Sequence, residues 1–547
     1  MSVRRYMQVL IGKRWREYSG MAIILLMISA VILILSCTRQ GAGIGSDGVV
    51  YIGTARNIME GFGVSGISAG NVLPPLVIFG PLYPSVLAGL GLMGVDPLVG
   101  ARWLNAGLFG INVMLVGAIL YWYSKEVWLA LLGSLLVLFS RVLFEVHSSV
   151  LSEPLFLPFL LVGVLLLTQY LEHERRRLLV SSAVVLSLAY LTRYAGLLFV
   201  GAGVLVLILL RRTSLRRRFA DIALWSISAG IPIGLWMLRN QLLTGSSTSR
   251  TFSPVLPTVN LLSSLVDFVT FWFWPERVPL IIRIVTVLLF GSLLAGRWLW
   301  YIRREQSSES ANDDDPPRIF LFPAVLSVMI VVYVVGLLSI RSLFTPRIDI
   351  ISRTLAPAYV LTLMLILMFA HGLLRREGEK VLIKSAIIVC CFGLVLSYII
   401  RGTIGALELQ RDAQGYASQA WSRSPLMNAL KLLPSETPIY TNEIEALYLL
   451  ADRYAYRLPY GCLPDDILVS KYAEADCQSE KYLTWVESMR HKLEHEQAVI
   501  VLFNTYAEQV YAPLVPELID GFPILSSQGD GAMYVNNLDE WPPSPHW

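Results

Sequence analysis

Two acidic residues at the starts of predicted helices are the first candidates for chemistry. Asp47 follows Ser46, a residue type that can cap a helix, and the helical pattern stops at Gly61. Glu153 precedes Pro154, which is tolerated in a first helical turn. A first-turn carboxylate can stabilise the helix dipole, or it can act as a general base that takes a proton from a hydroxyl group. The local sequence leaves both interpretations open. An ionisable residue at the edge of the membrane hydrocarbon, however, is more often functional than the same residue in a soluble protein.

A set of arginines lies at the same ends of the apolar segments as these two acids. Guanidinium groups form paired hydrogen bonds with phosphate, so these arginines could together bind a lipid phosphate. The alternative for any single one is a side chain that snorkels to water or pairs with Asp349 or Glu153. The set consists of Arg56, Arg102, Arg193, Arg341, Arg347 and Arg353.

A histidine near the second acid raises the question of a metal. Together, Asp47, Glu153 and His147 could supply oxygen and nitrogen ligands to a divalent ion, but their spacing carries no specific metal signature. A lone His147 is more often a hydrogen-bonded residue at the membrane interface. The sequence is therefore compatible with a divalent metal ion at these residues but does not require one.

The composition shows which elements must position these residues. The chain has 547 residues, of which 55% are hydrophobic and 15% charged, and its mean hydropathy is +0.59. Apolar runs of about 18 or more residues recur along most of its length, which is typical of a polytopic helical membrane protein and excludes a soluble globular one. The basic residues stand in short clusters between these runs. This pattern indicates membrane topology and not nucleic-acid binding.

The apolar runs predict an all-α membrane domain with about eleven transmembrane helices, made by residues 1–401. Basic clusters between them fall on one side, which the positive-inside rule assigns to the cytoplasm together with the N-terminus. The loop at residues 38–97 and everything after residue 401 then lie outside. The predicted spans are residues 19–37, 98–123, 126–144, 152–171, 178–191, 195–210, 219–238, 278–301, 319–340, 354–373 and 381–400.

Residues 402–547 differ from the rest of the chain because they are polar. Residues 481–493 have a helical pattern, and residues 498–503 and 532–535 are β-rich, so we predict a small extracytoplasmic α/β domain. Cys462 and Cys477 lie in this region and could form a disulfide there. The acidic stretch at residues 307–317 is most simply a disordered cytoplasmic loop.

The topology limits the substrate. The predicted cytoplasmic loops are short, and the sequence contains neither a P-loop nor a GxGxxG after a strand. A group-transfer reaction would then take place at the outer face, where an activated donor is more plausibly carried by a lipid than by a nucleotide. The sequence shows no repeat and no matching halves, which weighs modestly against an inverted-repeat transporter.

Several short motifs make the chain resemble a known family, the GT-C fold polyprenyl-phosphate-dependent glycosyltransferases of the protein mannosyltransferase-like and aminoarabinose-transferase-like group. Each motif is weak alone, but their order and topological side make the combination fairly specific. The motifs are Asp47-x-x-x-Tyr51-x-x-x-Ala55-Arg56-Asn57 with Gly61-x-Gly63, Pro81-Leu-Tyr83-Pro84, Arg102-Trp-Leu-Asn105, Leu151-Ser-Glu153-Pro154-Leu-Phe156, Leu191-Thr-Arg193-Tyr194 and Arg353-x-x-x-Pro357.

The resemblance implies an integral membrane enzyme that moves a sugar from a polyprenyl-phosphate donor to a glycan, lipid or protein acceptor on the outer face, with inversion. Asp47 matches the catalytic acid and Glu153 the second acidic position. Many relatives have paired acids after the first helix, whereas this chain has one, which puts metal dependence in doubt. The predicted substrate-binding residues are Tyr51, Arg56, Tyr83, Arg102, His147, Arg193, Tyr194 and Arg353. The rival hypotheses are a transporter or flippase of lipid-linked sugars and a non-catalytic assembly protein.

Overall fold

The computed structural model describes most of the chain. The described residues are 3–67, 73–211, 213–255, 259–275, 277–289, 291–292, 296, 321–345, 347–375, 381–458, 480–504 and 519–541. Cys462, Cys477 and the acidic stretch at 307–317 lie outside them, so the predicted disulfide and the predicted disordered loop stay predictions.

The described residues between 3 and 412 are mostly helical, as predicted. Their helices are α1 (Val3–Cys37), α2 (Ser46–Met59), α3 (Leu82–Leu92), α4 (Pro97–Ser124), α5 (Val127–Leu138), α6 (Arg141–Ser148), α7 (Glu153–His173), α8 (Arg176–Thr192), α9 (Gly196–Leu210), α10 (Leu215–Thr244), α11 (Val259–Phe271), α12 (Leu280–Leu289), α13 (Leu321–Leu343), α14 (Ser352–Leu374) and α15 (Val381–Asp412). Short strands β1 (Thr251–Phe252) and β2 (Phe344–Thr345) pair antiparallel.

Among the described residues, seven helices are long and apolar enough to cross a membrane, in α1, α4, α7, α10, α13, α14 and α15. Helices α5 and α6 make an eighth span if they are counted as one, but they are bent by 56°. The bend arises because the Ser140 hydroxyl accepts a hydrogen bond from the Leu143 N–H and so starts a new helix. The sequence predicts about eleven spans; the shorter helices α8, α9 and α12 stand at three of the predicted places.

The loop between α1 and α4 carries α2 and α3 and is fastened to the membrane helices. Helix α2 ends before Gly61, as predicted, but its N-cap is Gly45, so the prediction that Ser46 caps it is wrong. Arg239, in the last part of α10, donates to the backbone oxygens of Val64 and Leu76, and these two contacts hold the middle of the loop.

Residues after α15 form a small α/β unit, which confirms the predicted class of this region. Its five-stranded sheet has the order β4–β3–β5–β7–β6, with β3 parallel to β4 and β5, and β7 antiparallel to β5 and β6. The strands are β3 (Ile439–Thr441), β4 (Tyr456–Arg457), β5 (Val499–Phe503), β6 (Ile524–Gln528) and β7 (Gly531–Tyr534). The helices are α16 (Gln419–Ser422), α17 (Pro425–Leu430), α18 (Ile444–Leu450) and α19 (Glu480–His495). Helix α15 continues through residue 401 to Asp412, so the predicted domain boundary falls inside a helix.

Candidate active site

Short backbone pairings bring the two acidic residues into one region. Gly43 pairs in parallel with Ser149, and Ile44 pairs in parallel with Gly415. Asp47 follows closely after this segment, in the first turn of α2, and Glu153 begins α7 shortly after Ser149. The pairing therefore places the starts of α2 and α7 side by side.

Each acid forms an ion pair with an arginine that comes from a different helix end. Arg353, in the first turn of α14, places Nη2 2.8 Å from Asp47 Oδ2. Arg193, which follows α8 directly in extended conformation, places Nη1 2.6 Å from Glu153 Oε1. Arg353 also interacts electrostatically with Glu153, so the two pairs form one charge cluster with balanced formal charge.

Tyr51 and Ser152 connect the pairs through their hydroxyl groups. The two hydroxyl oxygens lie 3.1 Å apart, and Arg193 Nη1 donates to Ser152 Oγ at 3.3 Å. Tyr51 is buried, and its burial and the negative charge of Asp47 raise the pKa of the phenol well above its usual value. Tyr51 therefore keeps its proton at neutral pH and serves as a hydrogen-bonding group.

The two acids differ in their access to water. The Glu153 side chain is 1% exposed, and neither of its oxygens accepts a hydrogen bond, although Arg193 lies next to it. The Asp47 side chain is 12% exposed and its partner Arg353 is 33% exposed. Of the two carboxylates, Asp47 is the more accessible to water.

Tyr83 and Tyr194 lie beside the cluster and support it. The Tyr83 ring packs edge-on against Tyr51 with a centroid distance of 5.2 Å, and its hydroxyl donates to Asn105 Oδ1. The Tyr194 hydroxyl donates to the backbone oxygen of Val77 at 2.8 Å. These contacts fasten the outer loop against α4 and against the turn that carries Arg193.

Arg56 and Arg102 are engaged elsewhere. Arg56 Nη2 lies 3.5 Å from Asp96 Oδ2. Arg102 donates to the Thr38 hydroxyl and to the Leu35 backbone oxygen at the end of α1. Both residues join parts of the outer loop and its flanking helices, and the structure does not bring them to Asp47.

The predicted metal set is not assembled. His147 is buried; its Nδ1 lies 2.6 Å from the Leu143 oxygen and its Nε2 lies 3.0 Å from Asn112 Nδ2. Both ring nitrogens are therefore occupied by protein groups. Within the part of the chain that the structure describes, no three His, Cys, Asp or Glu side chains are grouped so that they could hold a metal ion. Asp47, Glu153 and His147 thus do not fit a shared divalent ion.

Sequence reasoning missed three residues that shape the site: Ser152, Asn105 and Arg239. Ser152 lies next to Glu153, and Asn105 ends the motif that begins at Arg102. Both stand within motifs of the family resemblance, so the sequence could have identified them as site residues. Arg239 stands at the end of an apolar helix like the other predicted arginines. Its role as a loop anchor follows only from the three-dimensional contacts.

Comparisons with known proteins agree with this architecture. Residues 81–237 match the sequence model of the family described as dolichyl-phosphate-mannose-protein mannosyltransferase. No curated protein sequence matches the chain.

Three solved structures are similar in fold. ArnT from Cupriavidus metallidurans bound to undecaprenyl phosphate has a TM-score of 0.52 and 12% identity, covering 94% of this chain and 98% of that one. The archaeal oligosaccharyltransferase AglB from Archaeoglobus fulgidus, in complex with an inhibitory peptide and a dolichol-phosphate, has a TM-score of 0.50 and 12% identity, covering 96% and 75%. The A. fulgidus oligosaccharyltransferase in complex with Zn and sulfate has a TM-score of 0.52 and 11% identity, covering 93% and 73%.

The structural likenesses extend over nearly the whole chain, whereas the match to the family model covers one central part. The chain is therefore a polytopic membrane protein with the fold of these solved structures, and its residues 81–237 resemble the dolichyl-phosphate-mannose-protein mannosyltransferase family.

Proposed function

We propose that this protein is an integral membrane glycosyltransferase that moves a sugar from a polyprenyl-phosphate donor to an acceptor hydroxyl at the outer face of the membrane. Asp47 is the general base, and Arg193 and Arg353 bind the donor phosphate. The N-terminus is cytoplasmic and the C-terminal α/β unit is extracytoplasmic, in keeping with the basic clusters of the sequence.

The observation that carries this proposal is the charge cluster itself. A glycosyl transfer from a lipid phosphate needs a base for the acceptor and cations for the leaving group. Asp47 and Arg353 are in contact at 2.8 Å, and both are partly exposed. Arg193 is 21% exposed although it pairs with a fully buried acid. The cluster therefore combines a carboxylate and two guanidinium groups that each keep some access to solvent.

The chemistry is a single displacement. The Asp47 carboxylate takes the proton of the acceptor hydroxyl while the acceptor oxygen forms the new bond to the anomeric carbon of the sugar. The bond from that carbon to the donor phosphate oxygen breaks, and its electron pair goes to the phosphate. The guanidinium groups of Arg353 and Arg193 neutralise the charge that develops there. One displacement at the anomeric carbon inverts its configuration, and it requires no carboxylate nucleophile.

Glu153 has a positioning role in this scheme. It is too deeply buried to meet an acceptor, and its charge is balanced by Arg193. The Tyr51 and Ser152 hydroxyl groups contact each other, and the Ser152 hydroxyl also accepts a hydrogen bond from Arg193. These contacts help to hold the Arg193 guanidinium beside Glu153. We assign the divalent metal no step, because the predicted ligand set is not assembled and two arginines supply positive charge at the same place.

The experiment uses the purified full chain in proteoliposomes with radiolabelled polyprenyl-phosphate sugars and a panel of acceptors. Wild type should form a glycoside and Asp47→Asn should not. Glu60→Gln is the matched control, because Glu60 is an exposed acid at the other end of α2. Movement of labelled lipid across the bilayer without glycoside formation would contradict the proposal and favour a flippase.

A further inference from the structure

The linker that follows α15 is part of the backbone arrangement that carries both acids. The Tyr416 N–H donates to the Ile44 oxygen at 2.8 Å, and the Ile44 N–H donates to the Gln414 oxygen at 3.2 Å. On the other side, the Val150 N–H donates to the Gly43 oxygen at 2.7 Å. The Gly43–Ile44 segment therefore lies between the linker and the segment that leads to Glu153.

The contact between the linker and Ile44 tolerates no side chain at residue 415. Gly415 has φ +59, and a β-carbon there would lie 2.0 Å from the Ile44 backbone oxygen. Glycine is needed for the backbone conformation and also for the close approach. A larger residue would have to push the Ile44 segment away, and Asp47 follows that segment directly.

The C-terminal unit touches α2 at a second place. Tyr448, in α18, is buried against α2, where a β-carbon at Gly53 would lie 3.3 Å from the tyrosine hydroxyl oxygen. The Arg56 guanidinium lies 5.8 Å from the centre of the Tyr448 ring. One hydrophobic cluster contains residues of α2, of α3 and of α18. Helix α2 is therefore held at its start by the linker and in its middle by α18.

We propose that Gly415 and Tyr416 are positioning residues of the transferase, through which the C-terminal unit sets the place of Asp47 relative to Glu153 and the two arginines. This inference rests on the proposed function, in which Asp47 is the base. The C-terminal unit then contributes to turnover directly, apart from any part in acceptor choice. Both contacts act on the backbone around α2, so neither residue touches substrate.

Two pairs of variants test the proposal. Gly415→Ala places a β-carbon against Ile44, whereas Gly521→Ala, at φ +84, also puts alanine in the left-handed region but brings its β-carbon within 4 Å of no described residue. Tyr416→Pro removes the N–H that donates to Ile44, whereas Tyr416→Phe keeps it and loses only the hydroxyl that donates to Glu443 Oε2 at 2.7 Å. Since a misplacement of 1 Å can cost about 10²-fold in rate, we expect Gly415→Ala and Tyr416→Pro to lower kcat by about that factor. Donor KM should change little, Gly521→Ala should stay close to wild type, and Tyr416→Phe should lower kcat less than Tyr416→Pro does.

A second readout does not depend on activity. Hydrogen exchange followed by mass spectrometry reports opening of the first turns of α2, where the Val49 N–H donates to Gly45. Exchange in residues 43–55 should be faster in Gly415→Ala than in Gly521→Ala. Equal exchange and equal kcat in these two variants would overturn the inference. An inactive wild type would instead refute the proposed function, and the exchange comparison would still decide the coupling.

Discussion

The two carboxylate–arginine pairs of the candidate site differ in how much water reaches them. The Asp47 side chain is 12% exposed and that of Arg353 33%, whereas the Glu153 side chain beside Arg193 is only 1% exposed. Removing one partner of a buried ion pair leaves an uncompensated charge, and the cost is smaller where water reaches the partner that remains. The difference separates the roles: the more accessible pair, Asp47 and Arg353, is suited to exchange protons and bind phosphate, and the more deeply buried pair is suited to hold its arginine in place.

The sharpest test of this division is Asp47→Asn. We expect glycoside formation to fall by about 10²–10⁴-fold, because an amide cannot take the acceptor proton. Thermal stability in detergent should fall less than in a variant of Glu153, since the Arg353 side chain that is left behind is 33% exposed and reaches water. Turnover that persists at wild-type level would remove Asp47 from the chemistry.

Glu153→Gln should affect stability more than Asp47→Asn does. Loss of one partner of a buried pair costs on the order of 3–5 kcal/mol of stability. The melting temperature should therefore fall far more than in Asp47→Asn. A double substitution, Glu153→Gln with Arg193→Met, should recover part of the loss, and a double-mutant cycle measures the coupling. Additive effects would show that the pair does not stabilise the fold.

Arg353→Lys tests the role of the more accessible pair, Asp47 and Arg353. Lysine keeps the positive charge but loses the planar fork that binds phosphate through two hydrogen bonds. Since a hydrogen bond to a charged group contributes about 1.5–3 kcal/mol, kcat/KM for the donor should fall by about 10- to 100-fold. Arg341→Lys is the control, because Arg341 pairs with Asp349 at 3.6 Å. Equal effects of the two substitutions would place the phosphate elsewhere.

The smallest effect is expected from removal of divalent ions. With His147 occupied on both ring nitrogens and two arginines in the charge cluster, EDTA should change turnover by less than about twofold. A large loss that Mg²⁺ or Mn²⁺ restores would show that a metal takes part, and would contradict the assignment of the charge to Arg193 and Arg353.

Much of this architecture could be predicted because membrane helices leave a strong signal in the sequence. Long apolar runs gave the membrane helices, and the polar, β-rich tail gave the α/β unit. Asp47, Glu153, Arg193 and Arg353 could be named because each is a charged residue at the edge of an apolar segment. The structure brings these four together with Tyr51.

The pairing of charges could not be read from the sequence. Arg56 and Arg353 look alike there, yet Arg56 pairs with Asp96 and Arg353 with Asp47. The contact of the linker with Ile44 has no sequence signal either, because a bridge between single residues far apart in the chain produces no periodicity. Such contacts depend on tertiary packing and become visible only in three dimensions.

The short helices α8 and α9 have a consequence for the lipid around them. They contain 17 and 15 residues, which at about 1.5 Å per residue reach roughly 25 and 22 Å. The hydrocarbon core of a bilayer is about 30 Å thick, and a bilayer adapts to a short apolar helix by thinning. Arg193 stands at the junction of these two helices. Local thinning there would draw lipid headgroups inward, toward the Arg193 guanidinium.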